Sequence, residues 1–121
     1  MVKYLPQPLD HVFFALSDPT RRAILARLRQ GEVTVTVLAA PFVISLVAVS
    51  KHIRVLESAG LVKRTRHGRE HHLRLVGEPL RTAARWVDQF EQFWSSHLDH
   101  IKARAEQKAR DRAKRITKHP I

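Results

Sequence analysis

The chain has 121 residues, enough for one small domain and a tail. Its 22 Lys and Arg against 11 Asp and Glu give a formal net charge of +11, which points to a polyanionic partner: nucleic acid first, an anionic membrane surface in competition. There is no cysteine, which excludes disulfides, thiolate metal ligands and thiol redox chemistry. No apolar run approaches the ~18 residues needed to span a bilayer, and no signal-peptide pattern opens the chain, so a cytoplasmic location is expected.

After a lead containing Pro6 and Pro8, Leu9, Val12, Phe13 and Leu16 make a short helical stripe. Ser17-Asp18-Pro19-Thr20 reads as a helix start, with Asp18 as cap and Pro19 in the first helical position. The second helix turns Ala23, Ile24, Leu25 and Leu28 inward and Arg21, Arg22, Arg27 and Arg29 outward, and Gly31 ends it. A short third helix starts at Thr34 or Thr36, with Val37, Leu38 and Phe42 facing inward. A tight connection at Val43-Ile44 leads to Ser45, a suitable N-cap for the fourth helix.

That fourth helix carries the most information. Leu46, Val49, Ile53 and Leu56 recur at spacings of three and four and define an apolar face. Val47, Lys51, Arg54 and Ser58 lie opposite, with Ser50 and His52 on the flanks. Gly60 supplies the left-handed stop. Two helices joined by a few residues, the second one basic, form a helix-turn-helix. A hairpin follows from Val62 to Val76 with its tip at His67-Gly68-Arg69, and Lys63, Arg64, Arg66, Arg69 and Arg74 make this wing basic. Gly77-Glu78-Pro79 then opens a long last helix striped by Leu80, Ala83, Val87, Phe90, Trp94, Leu98 and Ile101, widened by Trp86 and Phe93. From Lys102 the stripe fades into Lys, Arg and Ala. The expected fold is therefore mainly α with a small β-hairpin. Residues 1–101 form a winged helix-turn-helix domain for DNA binding and dimerisation, and residues 102–121 a basic tail, frayed or disordered.

Three strings in this order carry a family resemblance: Leu16-Ser17-Asp18-Pro19-Thr20-Arg21-Arg22-Ala23-Ile24-Leu25, Val49-Ser50-Lys51-His52-Ile53-Arg54-Val55-Leu56 and Ala59-Gly60-Leu61-Val62. Over roughly residues 9–101 the chain resembles the ArsR (ArsR/SmtB) family of winged-helix repressors. The resemblance implies homodimers that bind imperfect inverted repeats in promoters, pairing through the first and last helices. It places recognition on the Ser50-Lys51-His52 helix. It points to the branch without a cysteine metal site, because the third helix reads Val35-Thr36-Val37-Leu38-Ala39-Ala40. His97, Asp99 and His100 do not reproduce the family's second metal site and read as surface residues, so neither metal nor cofactor is assigned. Family members often carry Gly, Asn or Asp near Val43 and Pro near Val47. A β-branched residue in a left-handed turn there costs about 1–2 kcal/mol, so the turn adopts another conformation or is less stable.

The DNA contacts divide in two. Lys51, Arg54, Arg64, Arg66 and Arg69, with Arg21 and Arg22 as further candidates, hold phosphates, helped by amides near Ser45. Ser50, Lys51 and His52 meet base edges, Val47 is placed for a thymine methyl, and the tip from His67 to Arg69 suits a minor groove. The subunit interface is assigned to Leu9, Val12, Phe13, Trp86, Phe90, Phe93, Trp94 and Leu98, with half-sites one turn of DNA apart, ~34–36 Å. The expected partners are double-stranded promoter DNA and a second copy, with no membrane. A metal-responsive sensor of the same fold and a nonspecific nucleic-acid-binding protein are the alternatives. No phosphate-binding glycine loop or local nucleophile motif argues for an enzyme.

Overall fold

The computed structural model describes residues 7–117. In chain order the elements are α1 (Pro8–Leu16), α2 (Pro19–Leu28), β1 (Val33–Thr34), α3 (Val35–Ala39), α4 (Leu46–Ser58), β2 (Val62–His67), β3 (Glu70–Leu75), α5 (Glu78–Asp88) and α6 (Glu91–Thr117). They fall into two compact units, residues 1–84 and 85–121.

In the first unit each helix start has a chemical cause. Pro8 and Pro19 occupy first-turn positions, where a missing N–H costs nothing. Asp10 accepts a hydrogen bond from the backbone N–H of Gln7 at 2.7 Å. Asp18 accepts from the N–H of Arg21 at 3.0 Å, Thr34 from Val37 at 3.3 Å and Ser45 from Ala48 at 3.1 Å. Thr34, not Thr36, is thus the cap of α3. The stop of α4 is equally defined. Gly60 has φ +74°, its N–H donates to the Glu57 carbonyl at 2.9 Å, and the N–H of Leu61 reaches back to the Leu56 carbonyl at 3.0 Å. These are the paired bonds of a Schellman motif, and the accompanying apolar contact falls to Leu56 and Leu61, both fully buried.

The core of this unit joins Val12 and Ala15 of α1, Ile24 and Leu28 of α2, Leu38 of α3, Val49, Ile53 and Leu56 of α4, and Leu73 of β3. The expected inward faces hold except at Ala23, Val37 and Leu46, which are exposed, while Arg21, expected on an outward face, is buried.

The hairpin is the middle and one edge of a three-stranded antiparallel sheet in the order β1-β3-β2. β2 pairs with β3 from Val62↔Leu75 to His67↔Glu70 around a two-residue tip, Gly68-Arg69. Gly68 has φ +65° and Arg69 is not left-handed, the pattern of a II′ turn. β1, which sequence reading does not anticipate, adds Val33↔Leu73 and Thr34↔His72. Two residues are too few to show a strand period.

One long last helix is expected from Gly77 onward, and two are found. Between Asp88 and Glu91 the bonding switches to the tighter i+3 pattern, Gln89 N–H to the Trp86 carbonyl at 3.3 Å and Phe90 N–H to Val87 at 3.0 Å. Phe90 then accepts the first bond of α6 from Trp94 at 3.0 Å. No Gly or Pro marks the break. The segment is rich in Trp, Val, Asp and Phe, all weaker helix formers than the Ala, Arg and Lys that follow. α6 runs through the basic segment as regular helix to Thr117. Residues 118–121, with the end of the proposed tail, lie outside the described residues, as does Pro6.

Candidate nucleic-acid interface

α4 is set into the first unit by its apolar face and presents the other. Val49, Ile53 and Leu56 are 0% exposed, whereas Val47, Lys51, Arg54 and Ser58 are exposed. Beside this face a cleft opens, lined by Val35 and Val37 of α3, Leu46 and Ser50 of α4, and Arg64 and Arg69 of the wing. The helix and wing therefore bound one concave surface, with hydroxyl, guanidinium and apolar groups on its walls.

The turn before α4 contains no strained residue. Only glycines have positive φ among the described residues, so Val43 avoids the left-handed region. Its side chain is fully exposed, and Ile44, Leu46 and Val47 are exposed beside it.

The predicted contact residues do not all lie in equivalent surroundings. Ser50 lines the cleft, and Lys51, Arg54, Arg66, His67 and Arg69 are exposed. Arg64 is half-buried. It bridges Glu57 of α4 at 2.8 Å and lies 3.3 Å from Nδ1 of His71, so it first braces the wing against α4. Arg66 donates to the Gly68 carbonyl at 2.9 Å and stiffens the tip. His52 is on the side of α4 facing α2. Its Nδ1 is 3.3 Å from an Arg21 nitrogen and 3.7 Å from the Asp18 carboxylate.

Arg21 and Arg22, expected to be candidates for phosphate, do something else. Arg21 donates Nε–H to the Ala15 carbonyl at 2.8 Å and a terminal N–H to Phe14 at 2.9 Å, while its guanidinium sits 5.1 Å above the Phe14 ring. Arg22 donates to Leu16 at 2.7 Å. Both cations cap the negative end of α1. Sequence reasoning missed this because an arginine-rich helix start reads as a wet face. The available clue was position, since both arginines follow Ser17-Asp18-Pro19 within one turn. Asp18, whose carboxylate caps α2, is held below the ordinary aspartate value chiefly by the Arg21 backbone N–H, with His52 and Arg21 charges adding to it and desolvation opposing.

Of the residues assigned to a subunit interface, Val12 is corrected: it is 2% exposed and sits in the core, because α1 is a structural helix of the first unit. Leu9 is half-buried against that core, and Phe13 is exposed. In the second unit, Trp86, Phe90, Phe93, Trp94 and Leu98 are all exposed. Trp86 and Phe90 rings meet at 5.1 Å, and His97 stacks parallel to Phe93 at 6.1 Å. Among the described residues no three His, Cys, Asp or Glu are grouped to hold a metal ion.

A family model described as a helix-turn-helix domain matches residues 16–65, which holds α2, α3, α4 and the first part of β2. The transcriptional repressor SdpR of Bacillus subtilis (strain 168) is 34% identical over 82 residues, 68% of this chain and 91% of the relative. Among solved structures, the ArsR family transcriptional regulator RHA00566 is 37% identical with a TM-score of 0.69, covering 74% of this chain and 98% of that one. The chain belongs to the ArsR/SmtB family of winged helix-turn-helix, DNA-binding transcriptional regulators. The ArsR-family fold is also shared with the homodimeric winged helix-turn-helix DNA-binding domain Mb0332 of Mycobacterium bovis, 31% identical with a TM-score of 0.56 over 77% of this chain and 83% of that domain. No helix among the described residues is long and apolar enough to cross a membrane.

Proposed function

We propose that two copies of this chain bind an imperfect inverted repeat in promoter DNA and repress transcription from it, in the cytoplasm. The observation that carries this reading is the asymmetry of α4. Its apolar face is sealed in the core, and its Ser50, Lys51 and Arg54 face is left open beside a basic hairpin. A helix so mounted fits the major groove, about 12 Å wide. Arg69 and the Gly68 tip then lie where a wing meets the adjacent backbone or minor groove. Lys51 and Arg54 serve phosphates and guanine edges, and Ser50 a base edge. His52 acts mainly by holding α4 against α2. Pairing is supported by the apolar surface of Phe13 in one unit and of Trp86, Phe90, Phe93, Trp94 and Leu98 in the other.

A selection of duplexes from a random pool, followed by gel shift, tests the reading. The expected result is a preferred duplex with twofold-related half-sites. Lys51→Ala should weaken binding by about 10- to 100-fold, the loss of one good base or phosphate contact, without lowering thermal stability. Unchanged affinity in Lys51→Ala, or equal binding to scrambled DNA, refutes it.

A further inference from the structure

Exposed apolar side chains of the first unit are not scattered. Of the seven large ones exposed among its described residues, five fall in α3, in the turn and in the first turn of α4: Val37, Val43, Ile44, Leu46 and Val47. Val47 is 66% exposed. At helical spacing it stands beside Ser50 and Lys51, three and four positions on, with Arg54 one further turn away. It is therefore central to the presented face and not a fringe residue. The amides, guanidinium or carboxylates that would read base edges by hydrogen bonding are absent from positions 46 and 47.

Residues in the first turn of a recognition helix approach base edges most closely. Along those edges in the major groove the one apolar group is the C5 methyl of thymine. We infer that Val47, with Leu46 beside it, is a specificity-determining residue that reads thymine methyl groups. This deepens the function proposed above and rests on it. The surrounding charge favours DNA over a protein as occupant of the patch, because Lys51, Arg54 and Arg69 are exposed around it. Valine also suits the task. Its χ1 is nearly fixed in a helix, so a methyl contact immobilises little. Covering one methyl group is worth about fourfold in affinity.

The experiment uses the full chain and its selected duplex, with each thymine replaced in turn by deoxyuridine, which lacks only that methyl. The same series is repeated with Val47→Ala, an exposed change to a better helix former. Deoxyuridine at one or two thymines per half-site should weaken wild-type binding about fourfold each. Val47→Ala should weaken binding to the parent duplex by a similar factor and abolish the effect of at least one deoxyuridine, the signature of a direct contact. A specific complex indifferent to every deoxyuridine overturns this inference alone, and is the result expected if the patch serves a protein partner. Sensitivity that persists unchanged in Val47→Ala also overturns it. A pool that yields no preferred duplex fails at the earlier step and removes the regulatory reading itself.

Discussion

Arg21 stands at the end of α1, where carbonyls run out of helical partners, and it supplies them with donors from the next helix. It is 8% exposed and reaches Phe14, Ala15 and His52, so one side chain ties α1, α2 and α4 together. Replacing it by Met keeps much of the stem and removes every donor. Arg21→Met should lower stability by about 2–4 kcal/mol, the penalty of leaving buried carbonyls unpaired, in urea unfolding monitored by circular dichroism. Arg21→Lys should recover little, because an ammonium lacks the planar fork. Asp18 gives the pH dependence of the same junction. Its folded pKa is depressed, so its stabilisation is complete above the ordinary value of 3.8 and is lost as pH falls through the lower folded value. Asp18→Asn, which keeps a capping oxygen but cannot ionise, should flatten the stability profile below pH 4 relative to the wild type. An equal slope in both would place the acid sensitivity elsewhere. The cap at Asp18 was legible from Ser17-Asp18-Pro19-Thr20, whereas the inward path of Arg21 was not. Sequence assigns charge to a helix, but only tertiary structure aims a long side chain back across it.

At the scale of elements, periodicity found what packing enforces. Val49, Ile53 and Leu56 repeat because α4 has a buried side, and Gly60 follows because the chain must reverse there. Periodicity failed where no core imposes it. Leu46 fits the apolar register yet lies beyond the edge of the core, and the stripe from Val87 to Ile101 runs through a break that no breaker residue announces. Trp86, Phe90, Phe93 and Trp94 are all exposed in the second unit, and a folded chain rarely leaves such an apolar surface to water. If a second copy covers it, Phe90→Ala with Trp94→Ala should convert dimers to monomers or aggregates. Sedimentation velocity of the double variant measures this, and the first unit should keep its unfolding midpoint. An intact dimer would show that pairing relies on Phe13 and its surroundings instead.

Over the whole molecule the charge is unevenly placed. Residues 102–121 hold eight Lys and Arg against Glu106 and Asp111, and α6 carries seven of them as regular helix, to Thr117. Along α6 the steps of four and three from Phe90, Trp94, Leu98 and Ile101 continue into Arg104, Lys108, Arg112 and Arg115. One face thus changes from apolar to cationic about halfway along. The apolar half suits burial. The cationic half cannot be buried against an identical half without strong repulsion, so it is left for an anion, and the phosphates of DNA are the polyanion already in play. Such contacts carry no sequence information but release counterions, each adding about 0.9 to the magnitude of the slope of log affinity against log salt. Deleting residues 102–121 should reduce that slope by roughly two to four and weaken binding at low salt far more than at high salt. The order of preference among duplexes should be unchanged, because α4 remains intact. Affinity measured from 50 to 300 mM salt on preferred and scrambled duplexes separates the two contributions. If preference disappears with the tail, the basic helix and not α4 is reading the DNA; if the slope is unmoved, its charges face something other than phosphate.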